Sequence, residues 1–344
     1  MRLSRRAALA FAGAAALAPV GLHFARARGP GESDGPRPSL LHARPILALL
    51  PREAERRRFG ALTFRAGLEL WSDDPDFGGW SGLWRSPDGR RLVAVSDRAH
   101  WLTAIPHYEE GRLAGLDEAV VAPILGSDGR PLRGGRAFDV EALAIADGAA
   151  FVAIERVHEV RRFDWDRDGI RARGIPVPLP SEADRLPFNE GLEALGVAPP
   201  RHPLAGCLVA IAERAAAGDE APTRGWVVTG PNRFAFTVRR SLGFDVTDIV
   251  FLPSGEALLL ERRFSILSGV ACRIRRLARD AFRPDGELDG EVVFEADRGY
   301  EIDNMEGITA HRDPATGETV VTLISDDNFS FLQRTVLLEF SLAP

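Results

Sequence analysis

The chain has 344 residues, a formal net charge of −6, and 45% apolar against 27% charged residues, so it can bury a core and is not disordered overall. All 43 basic residues are arginine, which excludes a Walker-A lysine, a Schiff-base lysine and a Ser-x-x-Lys nucleophile pair. The acidic balance argues against non-specific nucleic-acid binding, which needs clustered cations, and suits cations or neutral ligands.

At the N-terminus, Ser4-Arg5-Arg6-Ala7-Ala8-Leu9 is a twin-arginine phrase. An Ala-rich apolar stretch follows to Leu22, and Ala25-Arg26-Ala27 is a small-residue cleavage site. Charged start, apolar middle and small-residue end read as a Tat-type signal peptide over 1–27, so the mature protein is expected to be periplasmic or secreted. The competing reading is a membrane anchor, but the stretch falls short of about 20 strongly apolar residues. Without 1–27 the chain keeps 39 arginines against 49 acids, a net charge of −10. Residues 28–58 hold five prolines and the run Arg56-Arg57-Arg58 and read as a mobile linker, with one short helix near residues 46–50.

From Phe59 to the C-terminus the texture changes. Apolar runs of four to seven residues alternate with Asp-Gly and Ser-Gly turns, as in "SPDGRRLVAVSD" and "LPSGEALLLERR". These are β-hairpin patterns, and no segment sustains a 3.6-residue period. Five hairpins align: Ser81 to Arg98, Glu141 to Arg156, Glu193 to Arg214, Thr247 to Arg262, and Glu306 to Asn328. An acidic or Phe-Asp/Asn phrase often precedes them, as in Phe138-Asp139, Phe188-Asn189, Phe244-Asp245 and Asp303-Asn304. Two further strand-like runs follow each hairpin. Four strands per repeat of roughly 50 residues predict an all-β fold, a β-propeller of four-stranded blades. The last repeat shows only three strands, and an orphan strand at 62–70 precedes the first. The simplest closure lets 62–70 complete the last blade and remove its exposed edge. This gives five blades over 59–344, or six if 102–135 or 276–300 holds a degenerate blade.

In such a blade the loop into strand 1 and the loop joining strands 2 and 3 emerge at the same end. The acids at the two ends of each hairpin therefore converge on one channel mouth. The set is Asp97, Glu141, Glu155, Glu193, Glu213, Asp248, Glu261, Glu306, Asp326 and Asp327, with Arg98, Arg156, Arg214 and Arg262 among them. Ca²⁺ takes six to eight oxygen ligands, which such a ring can supply, and a bound ion could activate water. The competing reading is a structural Arg–carboxylate network, because each Glu precedes an Arg in three repeats. The last repeat replaces Glu-Arg with Asp326-Asp327-Asn328. With Asp303, Asn304 and Glu306 it is the most ligand-rich point in the chain and the first choice for a metal.

Other constellations are weaker. "DWDRDG" at 164–169 opens like a calcium loop, but the twelfth position is Ile175, so an EF-hand is excluded and a turn is expected. His100 and His158 follow the acidic phrases of their blades and are candidate general bases beside a plain structural role. Ser81 stands where other repeats carry acid, with no base identified for it. Cys207 and Cys272 lie in apolar runs and read as buried, unpaired thiols rather than a disulfide.

The Glu-Gly-Leu and Glu-Gly-Ile hairpin starts, the "SDR" and "SDDNF" ends and the closing "TVLLEF" strand together resemble the phytase-like family described as having esterase-like activity. The resemblance spans about 60–340. It implies a β-propeller, export across the inner membrane, and hydrolysis of phosphoesters or esters with Ca²⁺. "DDPD" at 73–76 only loosely matches the Asp-Asp-Pro-Ala phrase of calcium-dependent propeller phytases, and no lysine is present for substrate phosphate. Arginine would take that place, Arg98 or Arg156 first. The expectation is a monomeric exported hydrolase of a small anionic or ester substrate. The alternative is a non-catalytic periplasmic binding or scaffold propeller.

Overall fold

The computed structural model describes residues 35–132, 139–187, 190–214, 221–265 and 269–343. Residues 1–27, Phe138, Phe188 and Asn189, on which parts of the sequence reading rest, lie outside them.

Five antiparallel sheets form a five-blade propeller. From the inside outwards, blade I is Trp80–Arg85, Leu92–Ser96, His100–Glu109 and Arg112–Pro123. Blade II is Val140–Ala146, Ala149–Ile154, Glu159–Asp164 and Ile175–Val177. Blade III is Leu192–Val197, Leu208–Ala212, Thr223–Val227 and Phe234–Val238. Blade IV is Asp245–Phe251, Ala257–Ser265, Gly269–Leu277 and Glu291–Asp297. Blade V is Asn304–Arg312, Thr319–Asp326 and Thr335–Leu342, completed by Leu62–Ser72 from before blade I. That last pairing is antiparallel and joins the two ends of the ring, as the orphan strand predicts. The described residues of the stretches that could have hidden a sixth blade instead supply outer strands of blades I and IV and the short strand Glu287–Leu288, which pairs in parallel with the outer strand of blade III.

The linker expected over 28–58 is a correction where it is described. Arg37–Pro38 pairs with the outer strand of blade I, and Leu41–Ile46 adds a fifth strand to blade V against Leu62–Ser72. The short helical turn is at Pro51–Glu53, after the predicted 46–50, where Leu49 and Leu50 are fully buried. Prolines at 38 and 45 sit on outermost strands, where a missing backbone donor costs no ladder bond.

The core lies between neighbouring blades. One apolar cluster packs Leu258, Ile274 and Phe294 of blade IV against Phe64, Leu338 and Phe340 of blade V. Others fill the V–I, I–II, II–III and III–IV gaps. Close approach of the inner strands needs small residues. A Cβ on Gly82 would lie 2.7 Å from the Leu143 backbone nitrogen, and one on Gly307 would lie 2.9 Å from Leu83 Cβ. Cys207 and Cys272 are buried and unpaired, as their apolar settings predict. No helix among the described residues is long and apolar enough to cross a membrane.

Candidate functional site: a ring of buried carboxylates

Every inner strand carries a β-bulge near its start. The residues skipped by the ladder are Ser81, Glu141, Glu193, Thr247 and Glu306. A bulge re-aims a side chain, so the five share one orientation relative to their blades. Opposite the bulges, the register places Asp97, Glu155, Glu213, Arg262 and Asp326 at equivalent places on the second strands. Two residues before each bulge stand Gly79, Asp139, Gly191, Asp245 and Asn304.

The structure thus brings together Asp97, Glu141, Glu155, Glu193, Glu213, Glu306 and Asp326 from the sequence-predicted set. All but Glu141, which is half-buried, are buried. Just below them Leu83, Leu143, Leu195, Ile249 and Ile308 form an apolar collar, each at most 3% exposed. Seven acids above an apolar floor cannot all ionise cheaply. Burial, then the charges of neighbouring acids, pushes Glu141 and Glu193 well above the usual carboxylate range. Burial is also the first cause for Asp326, Glu306, Asp97 (to about 7), Glu155 (to about 8) and Glu213 (to about 7). Arg98 counteracts burial at Asp97, and Arg262 does so at Glu213 and Glu306.

The tightest convergence is between blades II and III. Asp139, Glu141 and Glu155 each present an oxygen within 4.8 Å of the others', and so do Glu155, Glu193 and Glu213. Glu193 Oε2 and Asp97 Oδ1 are buried without a hydrogen-bond partner among the described residues. Glu155 Oε1 accepts from the Gly191 backbone at 3.1 Å, tying blade II to blade III. Asp139, held at φ 101° and bonded to Arg156, joins this site although it was read from sequence only as a phrase before the hairpin. Its signal is its spacing, two residues before a ring acid.

Two predicted ring members are corrected. Glu261 is one residue out of register: the bulge pairs Val246 with Glu261, so Arg262 takes the ring place. A one-residue shift turns a strand side chain to the other face. Glu261 is fully buried there between Arg273 (Nε 2.6 Å) and Arg275 (Nη2 2.7 Å). Asp248 likewise follows the bulged Thr247, in the place of Gly82 and Gly307. Its carboxylate accepts from the Ile249 and Ile308 backbone nitrogens and clips blade IV to blade V.

At the ligand-rich seam expected first for a metal, the carboxylates divide between loop bonds and the ring. Asp303 accepts from the Asn304 and Arg334 backbone nitrogens. Asp327 accepts from the Gly79 and Phe329 backbone nitrogens and from Thr335 Oγ1. Both carboxylates are committed to loop and seam bonds, and only Asp326 and Glu306 of that group reach the ring. The Asp164–Asp168 phrase, expected as a turn, is instead a single turn of α-helix over Trp165–Asp168, with Arg167 paired to Asp164 and Asp168.

Around the rim, Arg98 stacks over Phe329 at 3.2 Å from the ring centre. Arg214 and Arg240 both clamp Asp245. His100 Nε2 lies 3.6 Å from Asp76, itself held by Arg37. His158, at φ 49°, is beside Glu155 and Gly191: a Cβ on Gly191 would meet Glu155 Cγ at 2.8 Å and His158 Nδ1 at 2.9 Å. Burial lowers the His158 pKa, and its Nδ1 has no hydrogen-bond partner among the described residues. Ser81 is buried in the ring with only a 3.5 Å contact to Gly79 O.

The family model of the phytase-like proteins, "Esterase-like activity of phytase", matches residues 75–329. The chain belongs to the phytase-like family. That match spans all ten ring positions. Among curated proteins, none matches. Among solved structures, the PQQ-bound aldose sugar dehydrogenase of Streptomyces coelicolor is similar at 11% identity and a TM-score of 0.40, over 87% of this chain and 98% of that one.

Proposed function

We propose that this phytase-like propeller is an exported, monomeric hydrolase of phosphoesters or simple esters that holds a divalent cation between blades II and III. The observation that carries the reading is Glu193. Its Oε2 is buried without a hydrogen-bond partner among the described residues, inside a triad with Glu155 and Glu213 whose ligand oxygens lie within 4.8 Å. Such a group is satisfied by a cation, and an all-oxygen donor set selects a hard one, calcium first. Asp139 and Glu141 extend the donor set on the blade II side.

A cation held by Glu155, Glu193 and Glu213 would supply Lewis acidity toward a phosphoryl or carbonyl oxygen and would lower the pKa of water. The protein's own groups do the rest. Arg98 pairs with no described carboxylate and offers its guanidinium to an anionic substrate at the rim. Arg156 is bonded to Asp139 and orients that carboxylate instead. His158, kept neutral, presents Nδ1 beside Glu155 as a proton acceptor. The apolar collar keeps bulk water from the underside of the ring.

The purified protein should turn over a chromogenic phosphoester or a short acyl ester, lose that activity in EDTA and regain it with calcium. Elemental analysis should find stoichiometric calcium. Failure to turn over either substrate with calcium present would overturn the reading.

A second reading rests on a different observation. Arg262 bridges Glu213 and Glu306, and Arg214 and Arg240 clamp Asp245, so part of the ring is an ion-pair network joining blades III, IV and V. If the whole ring served only that role, the protein would be a scaffold or binding propeller with a thermal midpoint indifferent to chelator.

A further inference from the structure

The channel's other mouth has a different chemistry. Beneath the apolar collar it widens into a cavity of about 600 Å³, within the range of small-molecule sites. Its wall is mostly apolar, with Trp84, Ile145, Val197, Phe251 and Pro253 contributed by four blades. Arg201 and Arg312, both exposed, stand on the lining. Neither guanidinium makes an ion pair or hydrogen bond with a described residue, although ion pairs occupy many arginines elsewhere in this acidic chain. Two residues of the lining, Arg85 and His311, also carry a buried nitrogen, Nε and Nδ1, without a hydrogen-bond partner among the described residues.

We propose that this mouth binds a single-chain amphiphile with an anionic head, a medium-chain fatty acid being the simplest case. The chain fills the apolar funnel up to the collar, and the carboxylate lies at the rim between Arg201 and Arg312. Burying a methylene contributes about 0.8 kcal/mol, so the funnel supplies affinity for the chain. Guanidinium pairs recognise a carboxylate with two parallel hydrogen bonds, so the arginines select the head group. The collar separates this site from the carboxylate ring, so the inference stands apart from the hydrolase reading.

Titration calorimetry with decanoate below its micelle concentration, decan-1-ol and acetate tests it. The expected result is one decanoate per chain, bound at least about tenfold tighter than decan-1-ol, and no acetate binding. A double variant, Arg201→Gln with Arg312→Gln, should weaken decanoate about tenfold and leave decan-1-ol unchanged. Both changes are on the surface and leave the core intact. Ala146→Trp, which fills the funnel at the turn between the first two strands of blade II, should abolish both with calcium binding at the other mouth preserved. Equal affinity for the acid and the alcohol would overturn the proposal. So would decanoate binding that survives Ala146→Trp, or co-sedimentation with phosphatidylglycerol vesicles in the absence of any decanoate binding, which would assign the mouth to a membrane surface.

Discussion

Arg262 Nε lies 3.1 Å from Glu306 Oε1, inside a ring whose four other equivalent positions hold carboxylates. Its Nη2 is 3.5 Å from Glu213 on the neighbouring blade. The guanidinium therefore serves as a built-in counter-cation for one side of the mouth: burial works against its charge, but the neighbouring acids, Glu306 and Glu213 first, outweigh it and hold the pKa above the ordinary arginine value. On the other side, between blades II and III, the ring positions Glu141, Glu155, Glu193 and Glu213 are all acidic, and this is where the proposed cation would sit.

Replacing Arg262 with Gln should consequently hurt the metal-free protein most. Removing one partner of a buried ion pair costs about 3–5 kcal/mol because the other charges stay behind. Calcium should recover part of the loss by binding where the guanidinium was. Thermal melts of Arg262→Gln with EDTA and with calcium measure this, and a midpoint that drops equally in both would contradict it.

Glu193→Gln separates ligand from scaffold. Burial and its acidic neighbours push Glu193 well above the usual carboxylate range, which favours its neutral form in the metal-free protein. An amide of the same shape should leave that protein's stability within about 0.5 kcal/mol or raise it. Calcium affinity should fall by about tenfold or more, and activity with it. Unchanged calcium binding would remove Glu193 from the site.

The pH dependence has a definite sign. Asp97, Glu155 and Glu213 have folded-state values raised to about 7, 8 and 7, so their contribution is fully present below the ordinary carboxylate range. It is lost as pH rises through those raised values, because the unfolded chain then binds fewer protons than the folded one. The metal-free protein should thus melt at progressively lower temperature from about pH 5 to about pH 8. Calcium binding should release protons and tighten over the same window. Melts in EDTA and in calcium across that window should diverge, and parallel curves would show that the ring does not titrate around a cation.

Glu261 tests the register itself. It is fully buried between Arg273 and Arg275 and faces away from the mouth. Glu261→Gln should cost about 3 kcal/mol or more of stability, since two guanidinium groups lose their shared carboxylate. Calcium affinity at the surviving fold should be unchanged. A calcium defect would return Glu261 to the ring.

The repeat texture made most of this fold legible: Asp-Gly and Ser-Gly turns mark the hairpins, and an orphan strand before the first blade meets a last blade one strand short. The bulged positions Glu141, Glu193 and Glu306 were readable because each starts its hairpin phrase. The register error in blade IV has a local cause. "Glu-Arg" ends the hairpins at 155–156, 213–214 and 261–262, so identical text suggested identical placement. In blade IV the ladder instead pairs Asp245 with Arg262, and the ring residue is the arginine. Backbone pairing, which no dipeptide encodes, decides which of two adjacent side chains faces the channel. Within the linker expected over 28–58, residues 37–46 instead form outermost strands, where their prolines at 38 and 45 are tolerated.

Asp327 separates the seam from the site. One carboxylate accepts from Gly79 N at 2.9 Å, Phe329 N at 3.0 Å and Thr335 Oγ1 at 3.1 Å, tying blade V to the loop that leads into blade I. Gly79 has no room for a side chain there: a Cβ would sit 2.3 Å from Asp97 Oδ1. Asp327→Ala strands two backbone donors and should cost about 1–3 kcal/mol per unsatisfied group. It should also loosen Phe329 and with it the stacked Arg98. The expected signature is a lower thermal midpoint and a raised KM for an anionic substrate with calcium affinity intact. A lost calcium ion with an unchanged KM would instead move the metal to the seam.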